Sequence, residues 1–175
     1  MQPGRRVLDI GCGLGDFTAL AQQRGARPIG LDVAAPAIER ARECRPELDF
    51  RVADADRALE LEDASIDLIW ASELLEHVLD TAALMSELRR VLVVGGDLLI
   101  TTPFNGRVKG ALSALRGFER GHDPLGPDLR FYTPRSLRHQ LGDFGFADIE
   151  IEVAGGVPLL RETILAAARR ARWLG

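Results

Sequence analysis

The run Asp9-Ile10-Gly11-Cys12-Gly13-Leu14-Gly15-Asp16 sets three alternating glycines between two acids. Glycine permits a tight turn and, having no Cβ, lets the backbone approach a ligand closely. Asp32 follows roughly 20 residues after Gly11, the separation at which a carboxylate accepts hydrogen bonds from both hydroxyls of a ribose. Asp32 also stands where it could cap a helix opening near Pro36, and the two roles are compatible. Asp54-Ala55 comes after a further apolar stretch, where a carboxylate can accept from the exocyclic amine of a base. Asp56 competes for that role; Asp54 is the favoured reader, and a solvated loop acid is the alternative for either. Together these residues fit a ligand built on a nucleoside.

Glu76-His77 forms a second constellation. Histidine titrates near neutrality, so His77 could take a proton from a hydroxyl or an acidic carbon, or the pair could orient its own loop. Farther along, Asn105 in the Pro103-Phe104-Asn105 turn, His122 and Tyr132 are candidates for contact with a second substrate. Arg107, Lys109, Arg116 and Arg120 stand among apolar residues, which fits either a solvated helix face or peripheral contact with a membrane.

A frame must bring these residues to one edge. Val7 to Ile10, Pro28 to Asp32, Phe50 to Ala53 and Ile66 to Ala71 read as short buried strands. Phe17, Leu20 and Ala21 have helical spacing, and Pro36 opens a second helix over Ala37 to Cys44. A third helix from Thr81 to Leu92 leads through a Gly95-Gly96 turn into a fifth strand, Asp97 to Thr102. Residues 104–132 break the rhythm and read as an insertion on the substrate side. Thr133-Pro134 starts another helix, and Ala147 to Val153 alternates as a sixth strand. A basic helix over about 160–173 is expected to end the chain. Strands separated by helices require right-handed crossovers, so the expected fold is α/β: a Rossmann-like, doubly wound, mostly parallel sheet in one domain. Ligands bind such sheets beyond the carboxyl ends of the strands, where strand order reverses.

The series Val7-Leu8-Asp9-Ile10-Gly11-Cys12-Gly13-Leu14-Gly15, Gly30-Leu31-Asp32, Ala53-Asp54-Ala55 and Ser65 to Ile69 leading into Leu74-Leu75-Glu76-His77-Val78 resembles the class I S-adenosylmethionine-dependent methyltransferases, especially the small-molecule group that includes quinone-biosynthesis enzymes. The resemblance implies S-adenosylmethionine as cofactor and a small-molecule methyl acceptor. It puts Gly11, Cys12, Gly13 and Gly15 beside the methionine part, Asp9 orienting that loop and the cofactor's amino group, Asp32 on the ribose and Val33 on the adenine face. Asp54 and the Ala55 backbone would read the adenine edge, Ser72, Glu73 and Leu74 would line the pocket, and Glu76, His77 and Asn105 would lie toward the acceptor. Such enzymes end in a seventh, antiparallel strand, which this sequence does not display; the expected order is therefore 3-2-1-4-5-6, with an exposed edge that could recruit a second copy as a homodimer.

The net charge of −4 argues against broad nucleic-acid binding, which relies on clustered Lys and Arg. The two cysteines, Cys12 and Cys44, make neither a disulfide framework nor a zinc site, so no metal is expected and cytoplasm is the default compartment. No apolar run approaches the length of a membrane span, and no secretion signal is expected. An NAD(P)-dependent oxidoreductase is a rival, but its loop is G-x-G-x-x-G, whereas this one reads G-x-G-x-G. A non-catalytic cofactor-binding module or partner subunit is the other alternative.

Overall fold

The computed structural model describes residues 3–104, 129–156 and 162–172. Along the chain lie β1 (Arg6–Ile10), α1 (Asp16–Gln23), β2 (Arg27–Asp32), α2 (Ala35–Cys44), β3 (Asp49–Val52), β4 (Ile66–Ser72), α3 (Thr81–Val91), β5 (Leu92–Pro103), α4 (Pro134–Asp143), β6 (Phe146–Ala154) and β7 (Thr163–Arg170). The strands form a seven-stranded sheet in the order β3-β2-β1-β4-β5-β7-β6. β1 through β5 are parallel neighbours. A central parallel strand is covered on both faces, which is why Val7, Leu8 and Ile10 are all buried.

Local chemistry sets the element boundaries. Asp80 accepts from the Ala82 and Ala83 amides and so starts α3. Thr133 and Ser136 form a reciprocal capping box at α4, with Pro134 in the first turn. Leu84, Met85, Leu88 and Val91 of α3 pack with Leu137 and Leu141 of α4 into the main core on one sheet face. α1 covers the other face, where Phe17 stacks on Trp70 with ring centroids 4.6 Å apart.

Two expectations about the end of the chain are corrected. The seventh strand is present: β7 runs antiparallel between β5 and β6, with Ile100 opposite Ala166 and Ile151 opposite the same residue. The basic helix expected over about 160–173 is not formed, because residues 163–170 are that strand. Three consecutive alanines favour a helix in isolation, but a slot open on both sides rewards extended backbone, and small side chains fit it. Ile164, Ala166 and Ala168 are buried while Leu165 and Arg169 face outward, a period of two. With β7 in the slot between β5 and β6, the order is not 3-2-1-4-5-6 and β6 forms the edge of the sheet. A smaller correction concerns Gly95-Gly96, expected as a turn before the fifth strand. β5 runs through them, and the jump in register from Ile66 opposite Leu92 to Leu68 opposite Asp97 absorbs Gly95 at φ +78°.

The first and last described stretches meet at Asp97. Its carboxylate accepts from Arg5 at 2.9 Å and from Arg169 at 3.1 Å. No helix among the described residues is long and apolar enough to cross a membrane.

Candidate active site

β1, β2, β3 and β4 all end at the same edge of the sheet, with Ile10 opposite both Leu31 and Ala71, and Asp32 opposite Val52. The chain leaves β1 for β2 on one side and later returns to place β4 on the other, which opens a crevice at the strand tips. A cavity of about 230 Å³ lies there, bordered by Gly11, Asp32, Val33, Asp54, Leu74 and His77 among others.

The glycine turn is already set for a ligand. Gly11, Gly13 and Gly15 have φ of +77°, +52° and +78°, values that a side chain would strain. A Cβ on Gly15 would collide with the Phe50 ring, whereas a Cβ on Gly13 would meet nothing within 4 Å. Gly15 thus serves close packing, and Gly13 faces open space. Asp32 holds this turn: one carboxylate oxygen accepts from the Gly13 amide at 2.8 Å and the other from the Ala34 amide at 2.8 Å. Each oxygen keeps a second lone pair for a ligand hydroxyl. The expected capping role is not taken up: the N-cap of α2 is Ala34, and Asp32 bonds the amide of that residue rather than one in the first helical turn.

Asp9 lies beneath the turn, 3% exposed, accepting from the Thr18 hydroxyl at 2.6 Å and from the Thr18 amide. Burial pushes its carboxyl up to about 6, against the two Thr18 bonds. This position decides between ligands. A dinucleotide puts its pyrophosphate on free amides at the start of the first helix. Here Asp9 sits at the first turn of α1, and the amides of Gly11, Cys12, Gly13 and Gly15 are engaged by Leu31, Asp32 or Cys12. An anion would be repelled, while an ammonium group beside carbonyls and a buried acid is favoured. The geometry therefore disfavours the oxidoreductase reading.

Cys12 turns its side chain into the cluster of Ile38, Ala41 and Phe50, leaving its backbone to the turn. Burial, then the nearby acids, push its thiol up to about 12, so it is no nucleophile. On the opposite wall, Val33 is 66% exposed at the cavity, an apolar surface that a planar base would cover. The Asp54 carboxylate accepts from the Asp56 amide and pairs with Arg57 at 3.3 Å, with Ala55 beside it in the cavity wall. Asp56, its rival as base reader, also borders the cavity and accepts from the amides of Leu79 and Asp80.

Beyond β4, Glu73 adopts a left-handed φ of 49°. Its amide donates to Thr101 O, and its carboxylate accepts from the Thr101 hydroxyl at 2.9 Å. Ser72 meets the same hydroxyl at 2.7 Å. These bonds point Glu73, Leu74 and His77 into the cavity. Glu76 turns the other way, 1% exposed, with one oxygen on the Thr102 hydroxyl at 3.0 Å and no hydrogen-bond partner for the other among the described residues; burial raises its pKa above the usual carboxylate range. Tyr132 is buried in the main core and hydrogen-bonds Thr81 and Gln140, so it does not border the cofactor cavity. Asn105, His122 and the basic stretch from Arg107 to Arg120 lie outside the described residues. Sequence reasoning missed Thr18, nine residues from Asp9, and Arg130, which binds the carbonyls of Val78 and Leu79 from more than 50 residues away.

Parallel strands carrying a glycine turn and paired acids at their tips define a Rossmann-like nucleoside-binding protein. A family model described as methyltransferase domain matches residues 8–100, and the chain belongs to that family. It is 36% identical over 121 residues to a ubiquinone biosynthesis O-methyltransferase of Hahella chejuensis, covering 67% of this chain and 50% of that protein. A protein of the same description from Idiomarina loihiensis is 30% identical over 156 residues, covering 85% of this chain and 64% of its own length. The chain thus spans about half to two thirds of these curated relatives. Among solved structures, a Mesorhizobium loti S-adenosylmethionine-dependent methyltransferase superposes with a TM-score of 0.76 at 24% identity, covering 96% of this chain and 92% of that one. Phosphoethanolamine N-methyltransferase 2 of Haemonchus contortus, in complex with S-adenosyl-L-methionine, gives 0.76 at 19% identity over 98% of this chain and 50% of that one. These likenesses establish the fold.

Proposed function

We propose that this chain binds S-adenosylmethionine in the cavity at the strand tips and transfers its methyl group to a hydroxyl of a small-molecule acceptor. The observation that carries the reading is Asp32, fixed by the Gly13 and Ala34 amides with a lone pair left on each oxygen for a ribose. Val33 and Leu74 offer apolar surface to an adenine, and Asp54 with the Ala55 backbone reads its edge. Asp9 and the carbonyls of the glycine turn favour the methionine ammonium. The bound cofactor supplies a methyl group on a sulfonium whose charge is lost on transfer, so alignment and exclusion of water carry most of the rate. His77, in the cavity wall, takes the proton of the acceptor hydroxyl. The names of the curated relatives favour a hydroxylated quinone precursor as the acceptor class. The free cysteines Cys12 and Cys44 agree with the cytoplasm as the site of the reaction.

Calorimetry with S-adenosylmethionine tests the donor half. Binding is expected, and Asp32→Ala should weaken it roughly tenfold to a hundredfold through lost charge-assisted hydrogen bonds. Indifference to that change removes the ribose assignment. Labelled methyl donor offered with hydroxylated phenols and quinols tests the acceptor half; binding without transfer to any of them would leave a non-catalytic cofactor-binding module.

A further inference from the structure

The wall of the cavity formed by His77 and Val78 belongs to a loop, residues 76–80, whose backbone is gripped from two directions. From the adenine side, Asp56 accepts from the Leu79 amide at 3.1 Å and from the Asp80 amide at 2.7 Å. From the other side, the Arg130 guanidinium donates to Val78 O and, at 2.6 Å, to Leu79 O. The Leu129 amide adds a bond to Glu76 O at 2.8 Å. Each of the two peptide units flanking Leu79, 78–79 and 79–80, is therefore held at its N–H by Asp56 and at its C=O by Arg130. Val78 anchors the loop in the main core, whereas the Leu79 side chain is 71% exposed, so at Leu79 the backbone bonds do the holding.

The two grips come from different parts of the site. Asp56 stands two residues from Asp54, on the loop that faces the adenine edge. Arg130 belongs to the stretch that returns to the sheet at a bridge between Tyr132 and Phe104, directly after β5, and it does not border the cofactor cavity. Both grips are hydrogen bonds between a charged side chain and backbone, the stronger class; the Arg130 bond to Val78 O is partly buried and the other three are exposed.

We propose that Asp56 and Arg130 are positioning residues that make the 76–80 loop a wall shared between the cofactor cavity and the chain segment beyond β5. Resting on the cofactor reading above, this means that ordering segment 129–132 sets His77 and Val78 for the cofactor. By linkage, a bound cofactor fixes that segment in return. Arg130 thereby acts on cofactor affinity without touching the cofactor.

The test is a double-mutant cycle read by calorimetry with S-adenosylhomocysteine, at a temperature where melting curves show every variant folded. Arg130→Gln is expected to weaken binding roughly tenfold, and Arg130→Lys by less, because an ammonium can still reach one carbonyl. Asp56→Asn should weaken binding similarly, and the double variant should fall short of the product of the two, since both act on the same two peptide units. If the wild type binds and Arg130→Gln binds equally well, or the two effects multiply, the shared wall is overturned. An arginine serving only the architecture would lower the melting point and leave affinity unmoved, which also overturns it. If the wild type itself does not bind, the cofactor reading falls first and this inference with it.

Discussion

At the scale of single residues, Asp9 gives up its proton only near pH 6, because burial penalises its charge more than the Thr18 bonds favour it. Its folded pKa lies above the ordinary 3.8, so the folded chain binds that proton more tightly than the unfolded chain. The stability linked to it is fully present below about pH 4 and is lost as pH rises through about 6, a change worth roughly 3 kcal/mol. Asp9→Asn keeps an oxygen for the Thr18 hydroxyl and removes the charge. Urea denaturation of Asp9→Asn should show a flatter stability profile between about pH 4 and 6 and a higher midpoint near pH 7. A variant as pH-sensitive as the wild type would refute the assignment. The same substitution should weaken cofactor binding, because a charged partner for the ammonium is gone. Asp9, Asp32 and Asp54 were legible in the sequence because glycines and apolar strands frame them. Between Asp54 and Asp56 the sequence favours the first as base reader, and both acids border the cavity.

Among the elements, β7 shows where local preference yields to context. Thr163-Ile164-Leu165-Ala166-Ala167-Ala168-Arg169-Arg170 carries an alanine run that favours a helix and an alternation too weak to overrule it. The information that decides the matter is the pair of strand edges on either side, one from β5 far back in the chain and one from β6 just before it. β1, β2 and β4 were readable by contrast, because strands buried on both faces are apolar throughout. Ile164 reports on the slot: it is fully buried, opposite Thr102 of β5 and Val153 of β6. Ile164→Ala should cost about 2–5 kcal/mol in equilibrium denaturation, with no change in the slope. A loss below about 0.5 kcal/mol, the range of surface substitutions, would mean that β7 is not part of the cooperative core.

For the molecule as a whole, the parallel half of the sheet was foreseen because alternating strands and helices leave few topologies once crossovers are right-handed. The antiparallel return was not, because it depends on which strand the last segment finds free. That return carries the chain back across the sheet, away from the edge where the glycine turn and Asp32 stand. Arg169 consequently ends beside Asp97 and Arg5, at the far end from the cavity. This proximity makes residues 5–170 a candidate for circular permutation: a flexible tether from Arg170 to Arg5, with a new opening in the exposed Glu60–Asp63 connection, should preserve the melting transition and S-adenosylmethionine binding. Loss of both in a soluble permutant would mean that the order of synthesis, and not only the final set of contacts, is needed to build the sheet.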